Sequence, residues 1–260
     1  MTTTPTPLVL ISPAMAIGSA YYRPLVEEFR AHGWDARALP RRGFERGLPV
    51  ASRRHDWAYA DEIAELNAGL VRARAEEPDR PVLFLGHSLG GQIAVGHELS
   101  GPPVDGIVTV GAAIPHPSHY PLRGLGIRFM AKVIVPVLTT LFGYLPKPLF
   151  GAPGARTLMR EWGRMVITGE PPFPADEPIR TPAFIVSLQG DTLAPASSVN
   201  RFSTRLFHPD AVTRWHYLRD EVTPGASNDH ITWVRGSSPV VERVVAWWDA
   251  RQDQTQRPDR

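Results

Sequence analysis

The 260-residue chain contains no cysteine. Disulfides, thiolate nucleophiles and cysteine-based zinc sites are therefore excluded, and the absence fits a reducing compartment. Lysine is almost as scarce: Lys132 and Lys147 are the only two, so positive charge rests on arginine. Acids and bases nearly balance at a net charge of +2, and no ladder of aromatic and basic residues is present. Nucleic acid is not expected as a partner. No run reaches the roughly 18 apolar residues of a membrane span. The opening MTTTPTP also lacks the charged and then apolar regions of a secretory signal. These absences predict a cytoplasmic protein without integral membrane association.

What is present is alternation. Short apolar runs at 8–12, 34–39, 81–85, 104–110, 183–188 and 212–218 take turns with helical patterns at 20–32, 56–76, 89–99, 196–207 and 239–251. Such alternation predicts a doubly wound, mostly parallel α/β sheet. The core is expected at 8–113 and 179–251, with disordered tails at 1–7 and 252–260. Between the core halves, 114–178 breaks the rhythm with prolines, glycines and long apolar stretches. It reads as a helical lid insertion over the carboxyl edge of the sheet, where ligands bind in such folds. Within it, 125–150 reads as a helical hairpin that packs its apolar face on the domain and also lines a hydrophobic pocket, with transient docking on a membrane surface as a third option. Asp56 is placed to cap the helix at 56–76. The arginine-rich segment 40–55, with Arg41, Arg42, Arg46, Arg53 and Arg54, reads as a solvated loop in preference to an anion site.

The run PVLFLGHSLGG, from Pro81 to Gly91, carries the chemistry. An apolar strand ends in Gly86-His87-Ser88-Leu89-Gly90, and a helical pattern starts at once. This is the G-x-S-x-G elbow, in which a serine sits on a sharp strand-to-helix turn with its hydroxyl exposed. A serine hydroxyl attacks poorly at neutral pH unless a neighbouring base removes its proton, and a carboxylate must orient that base. Among nine histidines, His230 lies in the loop between the last strand and the last helix, at the same sheet edge as the elbow. Asp191 directly follows an apolar strand and emerges at that edge too. Asp220 and Glu221 are rivals for the acid, while Asp229 adjoins His230 too closely in sequence to face it. His87 is expected to pack within the elbow. His116 and His119 begin the insertion and are candidates for the pocket mouth; Phe129 and Trp162 later in the chain are further pocket candidates, Trp162 with Phe173 closing the rear of the lid. As a zinc pair the two histidines lack a third ligand, so neither metal nor cofactor is expected.

Gly86-His87-Ser88-Leu89-Gly90-Gly91, Gly190-Asp191 and Asp229-His230, in this order and spacing, resemble the α/β-hydrolase superfamily over nearly the whole chain. Ile11-Ser12-Pro13-Ala14-Met15 and Tyr22-Arg23-Pro24-Leu25 are similar to a bacterial branch of predicted hydrolases, related to serine aminopeptidase and monoacylglycerol lipase-like proteins. Arg41-Arg42-Gly43-Phe44-Glu45-Arg46-Gly47 occupies the place of an R-G-x-G-x-S loop. The resemblance implies a catalytic triad of Ser88, Asp191 and His230, with the backbone N–H groups of Met15 and Leu89 as oxyanion donors. Ser12-Pro13 departs from the common His-Gly opening of the oxyanion loop. The implied activity is hydrolysis of a carboxylic ester or thioester with an apolar portion, through an acyl-enzyme on Ser88. Acyl transfer or lactone formation on the same triad, and a non-hydrolytic use of the fold, are the alternatives.

Overall fold

The computed structural model describes residues 6–147 and 152–255. Residues 1–5 and 256–260 of the two expected tails lie outside them. Six strands form one sheet: β1 (Leu8–Ser12), β2 (Asp35–Ala38), β3 (Val82–His87), β4 (Gly106–Val110), β5 (Ala183–Leu188) and β6 (Val212–Tyr217). Their order is β2-β1-β3-β4-β5-β6, and every neighbouring pair is parallel. Every residue of β1, β3, β4 and β5 is buried. Helices cover both faces of the sheet, which explains why these strands read as unbroken apolar runs.

The helices are α1 (Arg23–Ala31), α2 (Tyr59–Glu76), α3 (Leu89–Ser100), α4 (125–142), α5 (Arg156–Thr168), α6 (Ala196–Leu206) and α7 (Ser238–Thr255). On one face, Leu25 and Phe29 of α1 and Val241, Val244 and Trp248 of α7 pack on Val9, Leu85 and Val108. On the other, Leu66 and Leu70 of α2, Ile93 of α3 and Phe202 of α6 pack on Leu10, Phe84 and Ile107. Each such side chain contributes about 1.5–3 kcal/mol through burial. Because β1 lies between β2 and β3, the chain leaves it in opposite directions at successive crossovers. The crevice that opens at the carboxyl ends there is the usual ligand site of an open α/β sheet.

Several local expectations are corrected. Asp56 does not cap α2; it reaches across to α5, accepting hydrogen bonds from Thr157 N (2.9 Å) and Thr157 Oγ1 (2.7 Å). At α2 itself, Asp61 Oδ2 accepts from Ala58 N at 2.7 Å. The segment 252–255 continues α7 as helix. Arg41 is no solvated loop residue: it is 2% exposed and pairs with Glu62 at 2.6 Å. Burial pushes the Glu62 carboxyl up, and the guanidinium pulls it back. Removing one partner of such a buried pair typically costs about 3–5 kcal/mol, because the other charge is stranded.

The expected hairpin at 125–150 is a single rod at 125–142; residues 148–151 lie outside the described residues. Its parts are an α-turn Leu125–Phe129, a π-turn Met130–Ile134 and a closing α-segment Val135–Phe142. Pro136 lacks an N–H, and the wide turn just before it absorbs the missing bond without breaking the helix. An 18-residue window within Pro121–Phe142 has mean hydropathy 1.7, with 17% of it buried. By length and composition, that helix is long and apolar enough to cross a membrane. The expectation that no such stretch exists is corrected. Lys132 and Pro136 interrupt the run in sequence, but hydropathy averaged along a helix tolerates them.

Candidate active site

β3 turns into α3 at Ser88, whose φ of 54° and ψ of −117° are rarely adopted by a residue with a side chain. Crowding imposes the glycines around it. A Cβ on Gly86 would lie 2.3 Å from Gly91 Cα, and one on Gly90 would lie 1.9 Å from the Ser12 carbonyl oxygen. Ser88 N–H donates to the Val110 carbonyl at 2.9 Å, which ties the strained residue to β4.

Ser88 Oγ lies 2.9 Å from His230 Nε2, and His230 Nδ1 lies 2.6 Å from Asp191 Oδ2. A carboxylate can only accept, so the proton is assigned to Nδ1 and Nε2 is left as a free base facing the hydroxyl. The other oxygen of Asp191 accepts from Leu193 N (2.8 Å) and Ala194 N (2.7 Å), and the side chain is fully buried. Neither rival takes its place. Glu221 caps its own turn through Leu218 N and pairs with Arg243, while Asp220 is exposed. Asp229 folds the loop that presents His230, its Oδ1 accepting from Ile231 N and Thr232 N, each at 2.8 Å. Burial raises its pKa, but hydrogen bonds led by Ser227 and Thr232 outweigh this and hold the carboxyl well below its usual range.

His87 is fully buried and does more than pack. Its Nε2 lies 2.6 Å from the His230 carbonyl, and its Nδ1 lies 2.7 Å from Tyr22 Oη, which accepts from Ala14 N–H at 2.8 Å. Burial drives its pKa down to about 3, so the imidazole is neutral at any pH near neutrality. A relay of hydrogen bonds thus joins the His230 loop to the loop after β1. Tyr22→Phe should cost about 3 kcal/mol of stability in urea denaturation, because Ala14 N–H and His87 Nδ1 both lose a buried partner. A loss below about 0.5 kcal/mol would mean that the relay is not intact in solution.

Arg41 braces the same loop from below, donating to Ser12 Oγ at 3.2 Å and to the Pro13 carbonyl. Sequence reasoning missed Arg41 and Tyr22 as site residues. Arg41 meets Glu62, Pro13 and Ser12 across 21 to 29 positions and Tyr22 meets His87 across 65, and no helical or strand periodicity brings these groups together.

Ser88 and His230 open onto a cavity of about 700 Å³. Met15 and Leu89 line it, and among the described residues neither of their N–H groups has a hydrogen-bond partner. From the insertion come Ile127, Met130 and Trp162. Tyr120 lines it as well; burial pushes its pKa up to about 12, and its hydroxyl donates to the Leu193 carbonyl at 2.7 Å.

Three expected pocket residues lie elsewhere. Phe129 is 57% exposed, because Ile127 and Met130 occupy the inward phase of α4 and the two residues between them, Arg128 and Phe129, face out. His116 and His119 form an edge-to-face pair with ring centroids 6.2 Å apart, outside the cavity lining. His116 Nδ1 is held by Ser118 Oγ at 2.7 Å.

A family model described as "Serine aminopeptidase, S33" matches residues 3–193. A search of the curated proteins returns no match. Among solved structures, the monoacylglycerol lipase of Paleococcus ferrophilus is similar at TM-score 0.62 and 17% identity, covering 93% of this chain and 96% of that one. A soluble variant of the monoglyceride lipase of Saccharomyces cerevisiae is similar at TM-score 0.64 and 16% identity, covering 95% and 87%. MenH from S. aureus is similar at TM-score 0.60 and 14% identity, covering 96% of each chain. At these identities the likeness is one of fold.

Proposed function

Since this chain belongs to the serine aminopeptidase S33 family of the α/β-hydrolases, we propose that it hydrolyses a carboxylic ester or thioester with an apolar portion through an acyl-enzyme on Ser88. The observation that carries this reading is the continuous contact of Asp191, His230 and Ser88, at 2.6 and 2.9 Å. His230 takes the hydroxyl proton as Ser88 Oγ attacks the carbonyl, and Asp191 stabilises the imidazolium that forms. The proton then passes to the leaving oxygen or sulfur, and water releases the acyl group by the same steps. The N–H groups of Met15 and Leu89 receive the negative charge that develops on the carbonyl oxygen. Each such donor is worth about 3–4 kcal/mol in the transition state.

The chemistry of the cavity selects the substrate class. Apart from His230, no titratable acid or base other than the Tyr120 phenol lines it among the described residues, and most of the lining is apolar. A peptide with a free amino terminus carries an ammonium group, and burying that charge without a carboxylate partner is costly. An uncharged ester or thioester meets no such penalty. The inserted segment 114–178 acts as a lid in this reading, its Ile127, Met130 and Trp162 closing the apolar side of the cavity.

A fluorophosphonate probe should label the wild-type protein at Ser88 and leave Ser88→Ala unlabelled. p-Nitrophenyl esters and acyl thioesters of graded length should be turned over only by the wild type. Equal labelling of the two proteins, or turnover that survives Ser88→Ala, would refute the proposal.

A further inference from the structure

The exposed side of α4 carries an apolar row that the catalytic cavity does not use. Leu125, Phe129, Val133, Val137 and Leu141 follow at four-residue spacing and are 65%, 57%, 40%, 48% and 59% exposed. In a regular α-helix this spacing drifts by about 40° per step around the axis. The π-turn Met130–Ile134, with more residues per turn, takes up part of that drift and keeps the row on one side. Ala131, Val135 and Thr139 occupy the opposite, buried side.

Beside this row lies a cationic trough of about 460 Å³. Arg123, Arg128, Lys132 and His116 line it together with Ser118 and Ile167, and no carboxylate is among its lining residues. No ion pair or hydrogen bond engages the side chains of Arg123, Arg128 or Lys132 among the described residues. Some other arginines do pair with acids, as Arg41 does with Glu62, Arg42 with Glu65 and Arg243 with Glu221; what sets the trough apart is that three cations share one surface with no carboxylate. Unpaired cations along the edge of an exposed apolar row match the cross-section of an anionic lipid leaflet, with phosphates outside and acyl chains within.

We propose that α4 docks this protein flat on an anionic lipid bilayer, with its apolar row in the acyl boundary and phosphate headgroups in the Arg123–Arg128–Lys132 trough. The inference is independent of the serine chemistry. The helix lies on the surface and does not span it, because its buried side is fastened to the rest of the fold. Arg160 Nε donates to Thr139 Oγ1 at 3.0 Å, and Arg53 donates to the carbonyls of Leu141 (2.5 Å) and Phe142 (3.0 Å). A second copy of the chain fits this face less well, since it would bring an identical set of unpaired cations to the contact.

Co-sedimentation with vesicles tests the proposal. Binding should be at least tenfold stronger to phosphatidylcholine vesicles containing one-third phosphatidylglycerol than to pure phosphatidylcholine, and should weaken as salt is raised. Arg128→Glu with Lys132→Glu should weaken binding to the anionic vesicles by about a hundredfold. Leu125→Ser with Phe129→Ser should abolish it. Unchanged circular dichroism and Tm in each double variant establish that the fold is kept. Equal binding to both vesicle types, no binding to either, or a concentration-dependent dimer that the Leu125→Ser, Phe129→Ser variant dissolves would each overturn the proposal.

Discussion

Replacing His230 with alanine should lower kcat for an ester by about a millionfold while KM moves little, because the base acts on the reacting atoms and contributes little to holding the substrate. With no acceptor 2.9 Å away, Ser88 Oγ keeps its proton and remains a poor nucleophile. On the proposed mechanism the backbone N–H groups of Met15 and Leu89 are untouched, so residual turnover should still exceed the uncatalysed rate by about 10³–10⁴-fold. Combining His230→Ala with Ser88→Ala should cost hardly more than either change alone, since the two side chains act as a unit. Steady-state kinetics on a soluble ester measures all of this. A loss of less than about tenfold for His230→Ala would mean that some other group serves as the base.

The second large effect belongs to Asp191→Asn, expected to lower kcat by about 10⁴-fold with little change in stability. The two oxygens of Asp191 do different work. Oδ1 holds the turn through Leu193 N and Ala194 N, and Oδ2 meets His230 Nδ1. An amide can keep its oxygen toward the two N–H donors, and its NH₂ group then faces His230. That reverses the tautomer: Nδ1 must accept, Nε2 carries the proton, and Ser88 has no base. Kinetics should therefore show the loss, and thermal denaturation should not. Retention of more than about a tenth of wild-type kcat would discredit the assignment and reopen Asp220 or Glu221 as the acid.

Much of the site was legible along the chain because its signals are local. An apolar strand, a glycine-flanked serine and a helix occupy fewer than twenty consecutive residues, and the steric demands that require Gly86 and Gly90 arise within that turn and the adjoining loop. Asp191 and His230 could be named because each follows a strand, and every strand of a parallel sheet ends at the same edge. The phase of α4 was not legible. Phe129 and Met130 are adjacent and both apolar, yet one faces out and the other lines the cavity. Likewise, Arg41 stands in an arginine-rich segment that reads as solvated, and only Glu62, brought in by α2, converts it into a buried ion pair.

Taken alone, the amino-acid order determined the α/β class, the serine elbow and the candidates for nucleophile, acid and base, since backbone propensity, hydrophobic period and turn sterics act over a few residues. Tertiary structure decided which carboxylate meets His230, how the Tyr22–His87 relay joins two loops, and which face of α4 is left exposed with its cations unpaired. Those outcomes depend on distances of a few ångströms between groups up to 143 positions apart. Hydrogen bonds and ion pairs fall off over such distances, so only the packed fold can choose among partners that the chain leaves equally available.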